Sequence, residues 1–214
     1  MTEIKKSNIS LEENYTYIAL LSKKINVGII GGRISSYIKC KTFSERGCNV
    51  EVLAKEFNEE FKEFYNKENV TIINGNYYNG FLEKKHLIII ALCDKEIRNK
   101  IIEHCEECCK LYLTCDDFKD GKFVTPFQRE TDTISYGINI KDASPITTRY
   151  LGEKILKEIK GKDDYIKFLI KVRQELKGKE EKKRVMEFLS SDDFYFFYEM
   201  GKGEIIYNLF FGGF

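Results

Sequence analysis

The chain has 214 residues, 43% of them apolar and 14% aromatic, and its 35 Lys and Arg balance 34 Asp and Glu. Such a composition fills the core of one large domain, or of a medium domain with additions, and excludes intrinsic disorder. The near-neutral charge argues against a general electrostatic nucleic-acid binder, and no apolar run reaches the ~18 residues of a membrane helix.

From about residue 16 to 125, short β-branched runs alternate with longer amphipathic ones. Strands are predicted at Tyr17–Leu21, Asn26–Ile30, Asn49–Leu53, Val70–Ile73, His86–Ala91 and Leu111–Cys115, with helical patterns after the second, third and fifth. That alternation implies an α/β fold, a Rossmann-like parallel sheet with helices on both faces. HLIIIAL is apolar throughout, as expected of a central strand buried on both sides. After Pro126 the alternation stops. DTISYGINI, residues 132–140, alternates like a strand, and Ser144-Pro145 supplies an N-cap and a first-turn proline for a helix ending before Gly161. The remainder is helical and charged, then strongly aromatic in DDFYFFYEMGKGEIIYNLFFGGF, where repeated acids favour core or interface over membrane contact. MTEIKKSNIS lacks the apolar core of a signal peptide, and seven cysteines without framework spacing suit a reducing cytosol.

Three stretches carry candidate chemistry. IGGRISS, residues 30–36, sits between a strand and a helix, where a dinucleotide fingerprint wants G-x-G-x-x-G/A. Gly31 and Ser36 suit the first and third roles, but Arg33 stands at the second, with Gly32 one position early. Any strand–helix turn favours glycine, so a packing turn and a nucleotide turn both remain open. Arg33 either crowds the phosphates or aims its guanidinium at them. The acid for the ribose is Glu51 or Glu56, and Glu56, just past the strand end, is the better placed. In HCEECC, Cys105, Cys108 and Cys109 share a helix face after His104, a thiolate arrangement whose spacing differs from zinc turns. Cysteines also pack as small apolar groups, and no metal site is expected. In LYLTCDDFKDGKF, Asp116 and Asp117 follow a parallel strand at the edge where α/β sheets bind ligands. A carboxylate there serves as a base, or is one of the ordinary solvated acids of a turn.

The order of five segments adds a further reading. Ile29-Ile30-Gly31-Gly32-Arg33-Ile34-Ser35-Ser36 follows V-V-G-G-G-x-V-A, and after a helix containing Lys39, Glu45 to Val52 follow E-x-G-A-x-V-T-V. Ala91 to Asn99 follow A-A-T-[DN]-D-x-x-V-N, and Leu113 through Pro126 follow N-V-x-D-D-P-x-x-x-x-F-[IV]-x-P. Ile138 to Arg149 follow I-S-T-G-G-x-S-P-x-x-A-R. In this order the chain resembles the precorrin-2 dehydrogenase / sirohydrochlorin ferrochelatase family, the Rossmann module of siroheme synthase, over roughly residues 14 to 212.

The resemblance implies NAD-dependent oxidation of precorrin-2 to sirohydrochlorin, followed in bifunctional members by insertion of ferrous iron to give siroheme, in a cytoplasmic homodimer. It places the catalytic acid at Asp116 and the NAD contacts at Gly31, Gly32, Arg33, Ile34, Ser35, Lys55 and Glu56. Lys122, Arg129, Lys141, Arg149 and the helix start at Ser144 become partners for a polycarboxylate tetrapyrrole. The expected division is a Rossmann-like NAD-binding domain over 1–125, a strand–helix dimerisation segment over 126–160 and a helical domain over 161–214. Arg33, Leu113 and Lys141-Asp142 depart from the family pattern. The alternative is a binding module for a tetrapyrrole or partner, or a chelatase alone, that has lost NAD through Arg33.

Overall fold

The computed structural model describes residues 14–141 and 144–211, so Asp142 lies outside the described residues. The chain divides into two compact units, one spanning Asn14–Thr125 and one running from Pro126 onward.

In the first unit, β1 (Asn26–Ile30), β2 (Asn49–Ala54), β3 (Val70–Asn74), β4 (Leu87–Ile90) and β5 (Leu111–Thr114) form one sheet in the order β3-β2-β1-β4-β5. Every pairing is parallel. The period-two geometry of a strand sends alternate side chains to opposite faces. Val27, Ile29, Val50, Val52, Leu87 and Ile89 therefore enter one core with Cys40, Phe61 and Phe64. Ile30, Leu53, Ile88, Ile90 and Tyr112 enter the other with Phe81, Leu82, Ile101 and Cys105. Helix α1 (Ile34–Glu45) covers the first face and α2 (Lys95–Glu107) the second. α1 buries Ser36, Cys40 and Ser44, three small residues four apart, which bring its backbone close to the sheet.

Two expectations are corrected here. Tyr17–Leu21 is not a strand: it joins no ladder, and Tyr17, Ile18, Leu20 and Leu21 are exposed. An apolar run without alternation reads alike in a buried strand and in an extended surface segment. After β2 the expected helix is a short 3₁₀ segment, Glu59–Phe64, anchored by buried Phe61 and Phe64. Its two phenylalanines three apart share one side of a three-residue turn.

The second unit opens with an antiparallel hairpin, β6 (Phe127–Glu130) and β7 (Ser135–Ile138). Helix α3 (Pro145–Ile159) follows, with the Ser144 hydroxyl accepting the Thr147 N–H and proline in its first turn. Four further helices follow among the described residues: α4 (Asp163–Glu175), α5 (Lys182–Leu189), α6 (Asp192–Glu199) and α7 (Gly203–Phe211). They share a core of Tyr165, Val172, Leu176, Val185, Leu189 and Phe194. No helix among the described residues is long and apolar enough to cross a membrane.

Candidate active site

Strand order reverses at β1, since β2 leaves to one side of it and β4 is reached on the other. Loops diverge at such a switch point and leave a crevice at the C-terminal strand ends. Here the crevice has a volume of about 400 Å³. It is lined by Gly31, Gly32 and Arg33 after β1, Lys55 and Glu56 after β2, Asn76 and Tyr77 after β3, and Cys93 and Asp94 after β4.

The glycines answer to the neighbouring backbones. Gly31 has φ +131°, and a Cβ there would collide with the Ala91 carbonyl oxygen. A Cβ on Gly32 would collide with the Glu56 carbonyl oxygen, while the Gly32 carbonyl accepts the Asn58 N–H at 2.9 Å. Arg33 has φ −94° and ψ −176°, an extended conformation open to any residue. The demand for glycine thus falls on positions 31 and 32, and the turn forms with arginine at 33. Its guanidinium donates through Nη1 to Cys93 Sγ at 3.6 Å. Ser36 is buried, and its Oγ donates to the Arg33 carbonyl at 2.7 Å. Among the described residues no side chain caps α1, and its first-turn N–H groups, including those of exposed Ile34 and Ser35, can receive an anionic ligand.

Of the two acids proposed for the ribose, only Glu56 lines the crevice. Glu51 Oε2 instead accepts from the buried Lys85 ammonium at 2.6 Å, which also lies 4.7 Å from the centre of the Phe81 ring. Asn76, Tyr77 and Cys93 were not singled out by sequence reasoning. Their signal is position alone, just past the C-terminal ends of parallel strands. The Tyr77 hydroxyl meets His104 Nδ1 at 2.5 Å, and burial pushes its phenol pKa up.

The acid pair follows β5 on the same sheet edge. Asp117 is used by the turn: its Oδ1 accepts the Lys119 N–H at 3.0 Å, and its carbonyl accepts from the Thr114 hydroxyl. Asp116 remains exposed, with Oδ2 3.3 Å from Arg98 Nη1. Arg98 Nη2 lies 3.7 Å from Asp120 Oδ2. The neighbouring Cys115 thiol is pushed up by burial, and burial draws the Lys39 ammonium below its usual range. Lys39 donates to the Thr125 hydroxyl and so ties α1 to the end of this segment.

The five candidate tetrapyrrole partners have different fates. Lys122 pairs with Glu106 Oε2 at 2.8 Å, at the end of α2 opposite the crevice. In the second unit, Arg129 is engaged by Glu153 Oε1 at 2.6 Å and by the Gln128 carbonyl at 3.0 Å, and it stacks on Phe127. Ser144 caps α3, Arg149 is exposed on that helix, and Lys141 is half-buried. The cysteine cluster does not assemble. Cys105 is in the core, while Cys108 and Cys109 are exposed at the α2 terminus. That terminus closes with the Cys109 N–H on the Glu106 carbonyl and the Lys110 N–H on the Cys105 carbonyl. Among the described residues no group of three or more His, Cys, Asp or Glu is arranged to hold a metal.

A family model described as "Putative NAD(P)-binding" matches residues 18–127. The chain belongs to that family. An uncapped helix start, a crevice at the strand switch and an acid after β2 fit the pyrophosphate and ribose of such a cofactor. Among similar proteins is the siroheme synthase of Buchnera aphidicola subsp. Acyrthosiphon pisum, 27% identical over 142 residues, which are 66% of this chain and 30% of that protein. The siroheme synthase of Blochmanniella floridana is 24% identical over 127 residues, 59% of this chain and 28% of that protein. The chain thus spans less than a third of the curated relatives it matches. Among solved structures, SirC, a precorrin-2 dehydrogenase, shares the fold with a TM-score of 0.65 at 22% identity, over 83% of this chain and 90% of that one.

Proposed function

We propose that the chain oxidises precorrin-2 to sirohydrochlorin with NAD, as a step of siroheme biosynthesis in the cytoplasm. The observation that carries this reading is the position of Asp116, exposed at the end of β5 on the same sheet edge as the dinucleotide crevice. Similarity to siroheme synthases supports the choice of substrate.

When bound, NAD supplies the hydride acceptor. The first-turn N–H groups of α1 and the Arg33 guanidinium hold the pyrophosphate, and the Glu56 carboxylate accepts from the ribose hydroxyls. Dehydrogenation removes a proton as well as a hydride, and an Asp116 carboxylate oxygen takes that proton. The same carboxylate serves to accept pyrrole N–H protons if ferrous iron, as a second substrate, is inserted into the product. Residues 126–160 then form the dimerisation segment, because α3 leaves the apolar side chains of Ile146, Tyr150, Leu151 and Ile155 exposed. Residues 1–125 form the NAD-binding domain and 161–214 the helical domain.

A second reading, a tetrapyrrole-binding or chelatase-only module, is favoured by the Arg33–Cys93 contact inside the crevice. Anaerobic incubation with precorrin-2, followed by absorbance with and without NAD, separates the two. NAD-dependent formation of sirohydrochlorin is expected. A folded protein without turnover moves the assignment to the second reading.

A further inference from the structure

Arg98 is a charged group at this site that the proposed reaction does not use. It lies in the first turns of α2, just after Asp94, which caps the helix by accepting the N–H groups of Glu96 and Ile97. Its side chain is only 13% exposed, and its buried Nε finds no acceptor among the described residues. The terminal nitrogens divide between two acids, Nη1 lying 3.3 Å from Asp116 Oδ2 and Nη2 lying 3.7 Å from Asp120 Oδ2.

We propose that Arg98 is the positioning residue of Asp116, fixing the direction in which that carboxylate meets the substrate. The inference takes its reaction from the precorrin-2 reading and its geometry from the ion pair. Asp116 follows a strand end and is 44% exposed, so its side chain by itself samples several rotamers. The guanidinium is planar and always charged, and it emerges from a helix whose next turns are held in the core by Ile101 and Cys105. A fixed donor of this kind narrows the carboxylate to one orientation. The competing role is a pin for the turn Phe118–Asp120, exerted through Asp120.

Arg98→Met, Arg98→Lys and Asp120→Asn, made in the full chain, distinguish these roles. Arg98→Met is expected to lower kcat roughly 10- to 100-fold with KM for NAD within about twofold, as displacement of a catalytic group does. Millimolar guanidinium restores part of the loss, Arg98→Lys is intermediate, and Asp120→Asn stays near wild type. Carbodiimide labelling of the substrate-free protein, read by mass spectrometry, gives a second readout that needs no turnover. Asp116 labels several-fold faster in Arg98→Met, while Asp117 is unchanged. Wild-type kcat together with unchanged Asp116 labelling in Arg98→Met overturns the proposal. So does an Asp120→Asn variant that loses as much kcat as Arg98→Met. If Arg98→Met does not fold, Arg98→Lys carries both readouts. If the wild type leaves precorrin-2 unoxidised, the reaction reading fails, and the labelling alone decides the pairing.

Discussion

Asp116→Asn keeps the size of the side chain and an oxygen facing Arg98, yet removes the basic carboxylate, so it isolates proton transfer from packing. Turnover of precorrin-2 is expected to fall by at least about 100-fold, with the melting temperature unchanged. Normal turnover would exclude Asp116 as the base. Arg33 poses the complementary question about binding. Because its backbone is extended and its guanidinium lines the crevice, Arg33→Gly is expected to weaken NAD by roughly tenfold, the loss of one charge-assisted bond, measured by calorimetry. Tighter binding would mean that the guanidinium obstructs the cofactor. The positions of Gly31 and Asp116 were legible because both depend on where a strand ends. The tolerance for Arg33 was not, because a fingerprint counts residues while the backbone angles decide where a Cβ fits.

At the scale of elements, α3 packs tightly on the hairpin at Gly152. A Cβ on Gly152 would collide with the Phe127 ring, which Arg129 covers from 4.2 Å. Gly152→Ala is therefore expected to destabilise the protein by about 1–3 kcal/mol in denaturant titration, the usual range for overpacking. The hairpin turn is tied to the start of α4 by Asp163, whose Oδ1 accepts from the Thr131 hydroxyl at 2.7 Å and from the Thr133 N–H at 2.8 Å. Hydrogen bonds from Thr133 and Thr131 hold this carboxyl below the usual carboxylate range. A depressed folded pKa stabilises above the unfolded value and loses that contribution as pH falls through the folded one. The melting temperature of the wild type should thus fall more steeply below about pH 4 than that of Asp163→Asn, the curves converging in acid. β7 was visible in the alternation of DTISYGINI, but β6 was not. Phe127-Gln128-Arg129-Glu130 has a single apolar residue, and its pairing with β7, not its own pattern, makes it a strand.

At the scale of the molecule, the exposed apolar residues of α3 give the proposed homodimer its test. Tyr150→Glu places a charge one turn from the exposed Ile146 and is expected to convert a dimer to a monomer in sedimentation velocity. A wild type that sediments as a monomer would sink that assignment. By itself the sequence determined the parallel α/β sheet, the glycine turn opening α1, the capped start of α3 and the acids after β5. These rest on local periodicity and turn chemistry, which are written in neighbouring residues. Only the tertiary structure decided that Glu51 is engaged by Lys85, that Lys122 is drawn to the far end of α2, and that Arg98 meets Asp116. Those outcomes depend on side chains 16 to 34 positions apart meeting in the fold, as Lys122 does Glu106 and Lys85 does Glu51. No periodicity encodes such a meeting; the order in which the strands assemble creates it.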